Sequence, residues 1–479
     1  MGRLPEGGSK EIRQMSKAEF HKEEEFMAWF ESRRRANYFS VEQIPFTSLQ
    51  EWSFDKKCRN LVHSSGKFFK VAGIRVETNF GKVKKWDQPI IIQPEVGILG
   101  LITKKVSGVR YFLMQVKMEP GNVNIVQLSP TVQATKSNYT QVHKGKLPPY
   151  LEFFLSRKRS RFLVDLLQTE HGGRFLRKRN RNMIVEIDED IESHDDFCWL
   201  SSWQIRKLLT LDNFVNMDSR SVLSCVPFAD GNLNKYYESL RHPEREKLFP
   251  YRVDNKFLNE LLVSLSEQDR IHITMDGILS WFTGLKTRYE LKTKEIPLEN
   301  MSQWKRGEME IRHISRDLFS VIAVLVRASS REVGSWTQPL LKSPSYGLVG
   351  FITQKIDQVL HFLVQAKVEP GNFDVIGMAP TVSCSNFESR AGGAGAPVFL
   401  DIFMNAPGGQ IKYSAIQSEE GGRFFHFQNR CMIVQLDDSV ELKIPDNYIW
   451  MTLGQMMALV KRGYFSIEAR CLLTCIGLF

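Results

Sequence analysis

Glutamine, lysine and glutamate recur at every second position in Gln115-Val-Lys117-Met-Glu119, and again in Gln365-Ala-Lys367-Val-Glu369. Side chains alternate faces along an extended strand, so these three groups share one face. Met114, Val116 and Met118, or Val364, Ala366 and Val368, then share the other, apolar face. An amide, an ammonium and a carboxylate in a row are residue types for proton transfer and for stabilising developing charge. Pro120-Gly121 follows as a turn that ends the strand. On an ordinary exposed strand the Lys–Glu neighbour would contribute only ~0.2–1 kcal/mol. Such a face would drift between copies, and this one does not.

The polar run is the centre of an internal repeat. Residues 96–132 and 346–382 align without a gap, with 17 of 37 positions identical. The identities concentrate in Gln-x-Lys-x-Glu-Pro-Gly-Asn and Pro-Thr-Val rather than at apolar positions, which indicates a duplicated site on a duplicated domain. Two further segments carry chemistry. Residues 129–145 (SPTVQATKSNYTQVHKG) are dense in hydroxyls and amides suited to a base edge, a ribose or phosphate oxygens, and shorten to APTVSCSNFES in the second copy. EHGGRFLRKRNR (170–181) and EEGGRFFHFQNR (419–430) pair two glycines, which allow close backbone approach to an anion, with Arg174 or Arg423 as a phosphate fork. Trp52 and Trp304 are candidate nucleobase stackers and equally good core residues.

These groups must be positioned by elements that also occur twice. Trp-Phe pairs at Trp29 and Trp281 precede Trp52 and Trp304; FFKVAGIRV (68–76) and LFSVIAVLV (318–326) read as strands; WDQPI (86–90) parallels WTQPL (336–340). Met-Ile-Val after each Asn-Arg reads as a buried strand. Residues 197–214 and 448–465 have helical spacing of Leu and Met, and RKRSRFLVDLL (157–167) looks basic and helical, where the second copy has NAPGGQIKYS. The order predicts an α+β chain of two tandem domains, each a mixed sheet flanked by helices. The expected divisions are a flexible N-terminal arm at 1–25, repeats at 26–228 and 257–479, and a linker at 229–256.

Composition narrows the class. The chain has 479 residues, 42% apolar and 25% charged, with a net charge of +10. These are ordinary globular values. The positive balance suits a small polyanion as well as nucleic acid, and the arginine clusters at 157–161 and 174–181 are poorly reproduced in the second copy, which argues against a continuous nucleic-acid stripe. No apolar run of membrane-spanning length and no signal-peptide core occur, so a soluble, cytoplasmic protein without membrane partners is expected. Seven cysteines in no CxxC spacing predict neither disulfides nor a metal site, and Cys225 and Cys475, at matching ends of the repeats, read as core thiols. GxGxxG, P-loop, HExxH and GxSxG motifs are absent.

QVKxEPGN, SPTVQATxSNY, EEGGRF and NRxMIV together resemble the NDP-hexose 2,3-dehydratases of deoxysugar biosynthesis, over nearly the whole chain. The resemblance implies two Nudix-like domains lacking the Nudix catalytic helix, a homodimer, and dTDP-sugar pockets in both halves. It implies loss of water across C2 and C3 of dTDP-4-keto-6-deoxy-D-glucose without a redox cofactor. The 3,4-diketo product would pass to a 3-ketoreductase. A non-catalytic nucleotide-sugar binding protein is the competing reading. Carried over by motif, Trp52 and Trp304 stack on the nucleotide, Gly173 and Arg174 bind substrate, and contacts in the first pocket are Gln133, Ala134, Thr135, Lys136, Ser137, Asn138 and Tyr139. In the second they are Lys367, Ser383, Cys384, Ser385, Asn386, Phe387 and the segment from Glu419 through Gly421, Gly422 and Arg423 to Phe424. Glu369, Glu119, Glu419 and Glu420 are the candidate bases, and Lys117 and Lys367 the enolate or phosphate partners. His171 stands where the second copy has Glu420, and SCSNF replaces QATKSNY, so one pocket alone need be catalytic.

Overall fold

The computed structural model describes residues 20, 22–57, 59–106, 109–135, 147–226, 254–267, 269–316, 318–329, 333–386 and 396–477. Each repeat builds a seven-stranded mixed sheet on the hairpin that carries the polar run. In the first repeat the hairpin is Ile98–Val106 with Val109–Met118. Ile98–Val106 pairs parallel with Arg179–Glu186 and antiparallel with Val132–Ala134, while Val109–Met118 pairs antiparallel with Val126–Ser129 and Phe197–Ser201. Gly347–Ile356 and Val359–Lys367 repeat the arrangement in the second. The alternation expected of the polar run holds: Met114 and Val116 are buried, whereas Gln115 and Lys117 are half-buried.

Beside each large sheet lies a smaller one that takes a strand from the other repeat. Phe39–Ile44 of the first repeat pairs antiparallel along all six residues with Ser320–Ala328 of the second. Leu291–Ile296 returns the exchange against Lys70–Thr78. Met217–Leu223 and Ile467–Cys475, the closing helices, pack against each other, and two buried arginines bridge the repeats there. Arg470 donates to Ser221 Oγ and to Thr169 O, both at 2.6 Å. Arg220 donates to Val215 O at 3.2 Å and to Ser418 O. A buried guanidinium is tolerated because its donors find acceptors. Cys225 and Cys475 are buried among apolar side chains, as expected of core thiols.

Two local expectations are corrected. Residues 197–201 and 448–452 are strands, and the helices start only at Ser202 and Leu453, each behind a capping box, Ser201–Gln204 and Thr452–Gln455. The helix-like run at 157–167 enters an edge strand, Arg161–Thr169, because cross-strand partners at Arg179–Glu186 compete better than helix formation. Asp165 there accepts two hydrogen bonds from Arg181, at 2.6 and 2.7 Å.

The repeats also clasp through glycine. Gly121 N donates to Gly421 O and Gly371 N donates to Gly172 O, each at 2.7 Å. His426 N and Arg177 N return bonds to Gly121 O and Gly371 O, both at 2.8 Å. A Cβ on Gly121 would sit 1.7 Å from Phe424 O, and one on Gly371 1.8 Å from Phe175 O. Gly121→Ala should therefore cost about 3 kcal/mol or more in urea denaturation, since backbone atoms must move. Gly284→Ala, in helix Met275–Arg288 with nothing within 4 Å of the added carbon, should instead stabilise by about 0.5–1 kcal/mol.

Candidate active site

The glycine clasp places the His171–Arg174 segment of the first repeat over the polar strand of the second. Between them opens a cavity of about 1200 Å³, larger than the ~300–1,000 Å³ of a typical small-ligand site. Five ionisable groups meet at one end of it. Lys367 Nζ lies 3.1 Å from Glu369 Oε1 and donates to Ser383 O at 3.3 Å. His171, only 3% exposed, places Nδ1 2.8 Å from Glu468 Oε1 and Nε2 3.7 Å from Glu419 Oε2. Asn429 fixes Glu419 by donating to Oε1 at 2.7 Å. A Cβ on Gly172 would come within 2.8 Å of Glu369 Oε2, so the histidine loop rests directly against that carboxylate.

The charges sustain one another. Burial alone would strip the proton from His171, but Glu419 and Glu468 outweigh it and raise its pKa to about 9. Burial would likewise raise Glu468, yet His171 and Lys367 hold its carboxyl well below the usual range. Lys367 is raised, because Glu369 and Glu468 overcome the desolvation that would lower it. The cluster thus holds two cations against three carboxylates.

Elsewhere the cavity lining carries aromatic and cationic side chains. Arg174 stacks its guanidinium 4.1 Å from the Phe319 ring centre, and Trp304, His313, Arg316 and Lys82 border the same space. Gln88 fixes the loop by donating to Gly173 O at 3.0 Å and is itself held by Trp86 Nε1 at 2.9 Å. Trp336 and Gln338 do the same for Gly422 O, at 2.8 Å each. This is the structural use of the duplicated Trp-x-Gln-Pro.

The matching cleft of the first repeat carries different charge. Lys117 Nζ lies 3.2 Å from Glu119 Oε1, which also accepts from Gln133 Nε2 at 2.8 Å. Glu420, at the position equivalent to His171, is raised to about 7 by burial, which Glu119 and Glu170 reinforce and Arg423 opposes. Asp218, equivalent to Glu468, is raised by burial and by Glu170, Glu119 and Glu420. Here a carboxyl replaces the imidazole, and the carboxylates repel one another.

The sequence profile of the NDP-hexose 2,3-dehydratases matches residues 23–226 and 275–476. The chain belongs to this family. It is 44% identical over 454 residues, 94% of this chain and 90% of the relative, to a dTDP-4-dehydro-6-deoxy-alpha-D-glucopyranose 2,3-dehydratase of Saccharopolyspora spinosa. Proteins of the same name match at 42% over 461 residues in Amycolatopsis orientalis, covering 95% and 90%, and at 39% over 455 in Streptomyces violaceoruber, covering 94% and 96%. Among the described residues no helix is long and apolar enough to cross a membrane.

Within this dehydratase, the residues singled out by motif divide between the clefts. Lys367, Glu369, Ser383, Cys384, Ser385, Asn386, Trp304 and Glu419 line the second-repeat cleft, joined by Gly173 and Arg174 from the first repeat. Gly421 packs against Glu119 and Asn122 of the first-repeat cleft, on the side of Gln133 and Glu420, so the EEGGRF element is split: Glu419 faces one cleft and Glu420 the other. Gly422 and Arg423 belong to the same loop, and Arg423 stacks 4.3 Å from the Phe69 ring centre. Phe424 is core, as part of strand Phe424–Phe425. Trp52 is buried against Phe69 at 4.8 Å between ring centres. Ala134 is buried in strand Val132–Ala134, with Thr135 following it. Lys136, Ser137, Asn138, Tyr139 and Phe387 lie outside the described residues. Motif reading missed Glu170, Asp218 and Glu468; the parallel Met-Asp-Ser-Arg (217–220) and Ile-Glu-Ala-Arg (467–470) was the available signal for the last two.

The His171–Glu468 pair gives a pH signature in stability. A histidine raised from 6.5 to about 9 stabilises the fold fully below pH 6.5, and loses that contribution as pH rises through about 9. His171→Asn should thus be less stable than the parent at pH 6 by on the order of 3 kcal/mol. Urea midpoints should converge between pH 6.5 and about pH 9; parallel curves across that range would contradict the assignment.

Proposed function

We infer that the chain removes water across C2 and C3 of dTDP-4-keto-6-deoxy-D-glucose, giving the 3,4-diketo-2,6-dideoxy sugar nucleotide, and that the second-repeat cleft is where it does so. The observation that carries this reading is the convergence of Lys367–Glu369 from one repeat with His171 from the other. A ketone at C4 acidifies the C3 proton, which makes a carboxylate adequate as base. Glu369 takes that proton, and the electron pair becomes an enolate whose C4 oxygen faces the Lys367 ammonium. The pair then returns to form the C2–C3 double bond as the C2–O bond breaks, and protonated His171 gives its proton to the departing hydroxide. The enol at C3 loses its hydroxyl proton to His171, while Glu369 returns a proton to C2. Both groups end as they began.

The aromatic and cationic part of the lining suits the nucleotide: Arg174 and Arg316 for the diphosphate, Trp304 for the pyrimidine. The first-repeat cleft, with Glu420 in place of the imidazole, lacks a cationic acid at that position. It retains pocket residues without the full acid–base set. The repeats are further read as Nudix-like domains, the chain as a homodimer, and the diketo product as the substrate of a separate 3-ketoreductase.

Incubation in deuterium oxide with the 4-keto sugar nucleotide tests the assignment. Glu369→Gln should lower kcat and C3 exchange together by about 10²–10⁴-fold. His171→Gln should lower kcat by at least about 10²-fold while exchange at C3 persists, because the base is intact. Glu119→Gln should stay within a few-fold of the parent. Wild-type turnover in Glu369→Gln, or binding without any exchange in the parent, would count against the reading.

A further inference from the structure

The two clefts differ at a position that touches no reacting group. Asp87, buried in strand Lys85–Ile92 of the first repeat, accepts a bidentate pair from Arg75, with Nε at 2.9 Å and Nη2 at 3.0 Å. Its Oδ2 accepts from Ser302 N of the second repeat at 2.8 Å, and its backbone carbonyl accepts from Trp304 Nε1 at 2.7 Å. One residue therefore grips both ends of the Ser302–Trp304 turn. That turn is under strain: Gln303, between the two contacts, has φ 64°, a left-handed conformation that disfavours a residue with a side chain. Burial would raise the Asp87 carboxyl, but Arg75 and the Ser302 amide hold it below its ordinary value.

Behind the equivalent turn of the first repeat the two positions are neutral. Thr337 stands in place of Asp87, and Leu325 in place of Arg75. Thr337 Oγ1 accepts from Gln50 N at 2.8 Å and donates to Gln50 O at 3.0 Å, while Glu51 takes the left-handed conformation with φ 59°. Glu51 itself lies 3.2 Å from His63 Nε2, but the Asp–Arg pair behind the turn stands at the second-repeat turn, which borders the large cavity. We propose that Asp87, locked by Arg75, is a positioning residue that fixes Trp304 as a wall of the nucleotide end of the second-repeat cleft. It acts on binding of the nucleotide and stands apart from the Lys367–Glu369–His171 cluster. The inference rests on the second-repeat cleft being the one that takes the nucleotide.

Thymidine diphosphate alone is a suitable probe, since it reads this end of the cleft independently of dehydration. In Asp87→Ala, Kd for thymidine diphosphate and KM for the 4-keto sugar nucleotide should rise together by about tenfold, with kcat within about twofold. Arg75→Ala should move both the same way, and Arg75→Lys should recover part of the loss. Thr337→Ala should leave Kd and KM unchanged. Arg75 has a side chain 40% exposed, so its variants decide the matter alone if Asp87→Ala fails to fold. Unchanged Kd and KM in folded Arg75→Ala, or a fall in kcat at constant KM, would overturn the positioning role. Weaker binding in Thr337→Ala but not in Arg75→Ala would overturn the choice of cleft instead.

Discussion

The clefts of this molecule depend on two backbone hydrogen bonds between glycines of opposite repeats. Gly121 with Gly421, and Gly371 with Gly172, bring a strand turn of one repeat against a loop of the other at a distance no Cβ permits. The net worth of each bond is modest, about 0.5–1.5 kcal/mol. Their consequence is geometric: neither repeat can complete its own cleft. The polar strand supplies the lysine and the Glu-Pro-Gly-Asn turn the carboxylate, and the opposite repeat supplies the Gly-Gly-Arg loop. Exchange of Phe39–Ile44 and Leu291–Ile296 between the smaller sheets reinforces the same interdependence.

This arrangement gives adjacent residues opposite destinations. Glu170 belongs with the first-repeat cluster and His171 with the second; Glu419 and Glu420 divide the other way. A single substitution at one of these positions thus alters one cleft and spares its twin. His171, where the other copy has a glutamate, gives the second-repeat cleft an acid that is cationic near neutrality. Glu420 leaves the first with mutually repelling carboxylates. The two frames are similar, and the His171/Glu420 position separates the charge of their acid–base clusters.

The polar strand was legible because its period of two is unambiguous and its turn is marked by Pro-Gly. The role of Trp-x-Gln-Pro was not, since a hydrogen bond from Gln88 to Gly173 O connects segments 85 residues apart. Strand exchange was hidden for a stronger reason. Phe39–Ile44 and Leu291–Ile296 are short edge strands, and the strands they meet, Ser320–Ala328 and Lys70–Thr78, are copies of each other. Pattern alone fits either partner equally well. Misreading RKRSRFLVDLL as helix has a similar origin: the apolar residues permit both periods, and pairing with Arg179–Glu186 decided between them. His171 was visible only as a difference between copies; its partner Glu468 lies 297 residues away.

The central claim is that chemistry occurs in a cleft built from both repeats, with Glu369 against C3 of the sugar. A crystal structure of Glu369→Gln holding the 4-keto sugar nucleotide tests it most directly. The expected result is the hexose in the second-repeat cleft, with C3 facing residue 369, the C4 oxygen toward Lys367, the C2 hydroxyl toward His171 and the pyrimidine beside Trp304. A hexose lodged in the first-repeat cleft with C3 facing Glu119, and the second-repeat cleft holding no sugar, would contradict it.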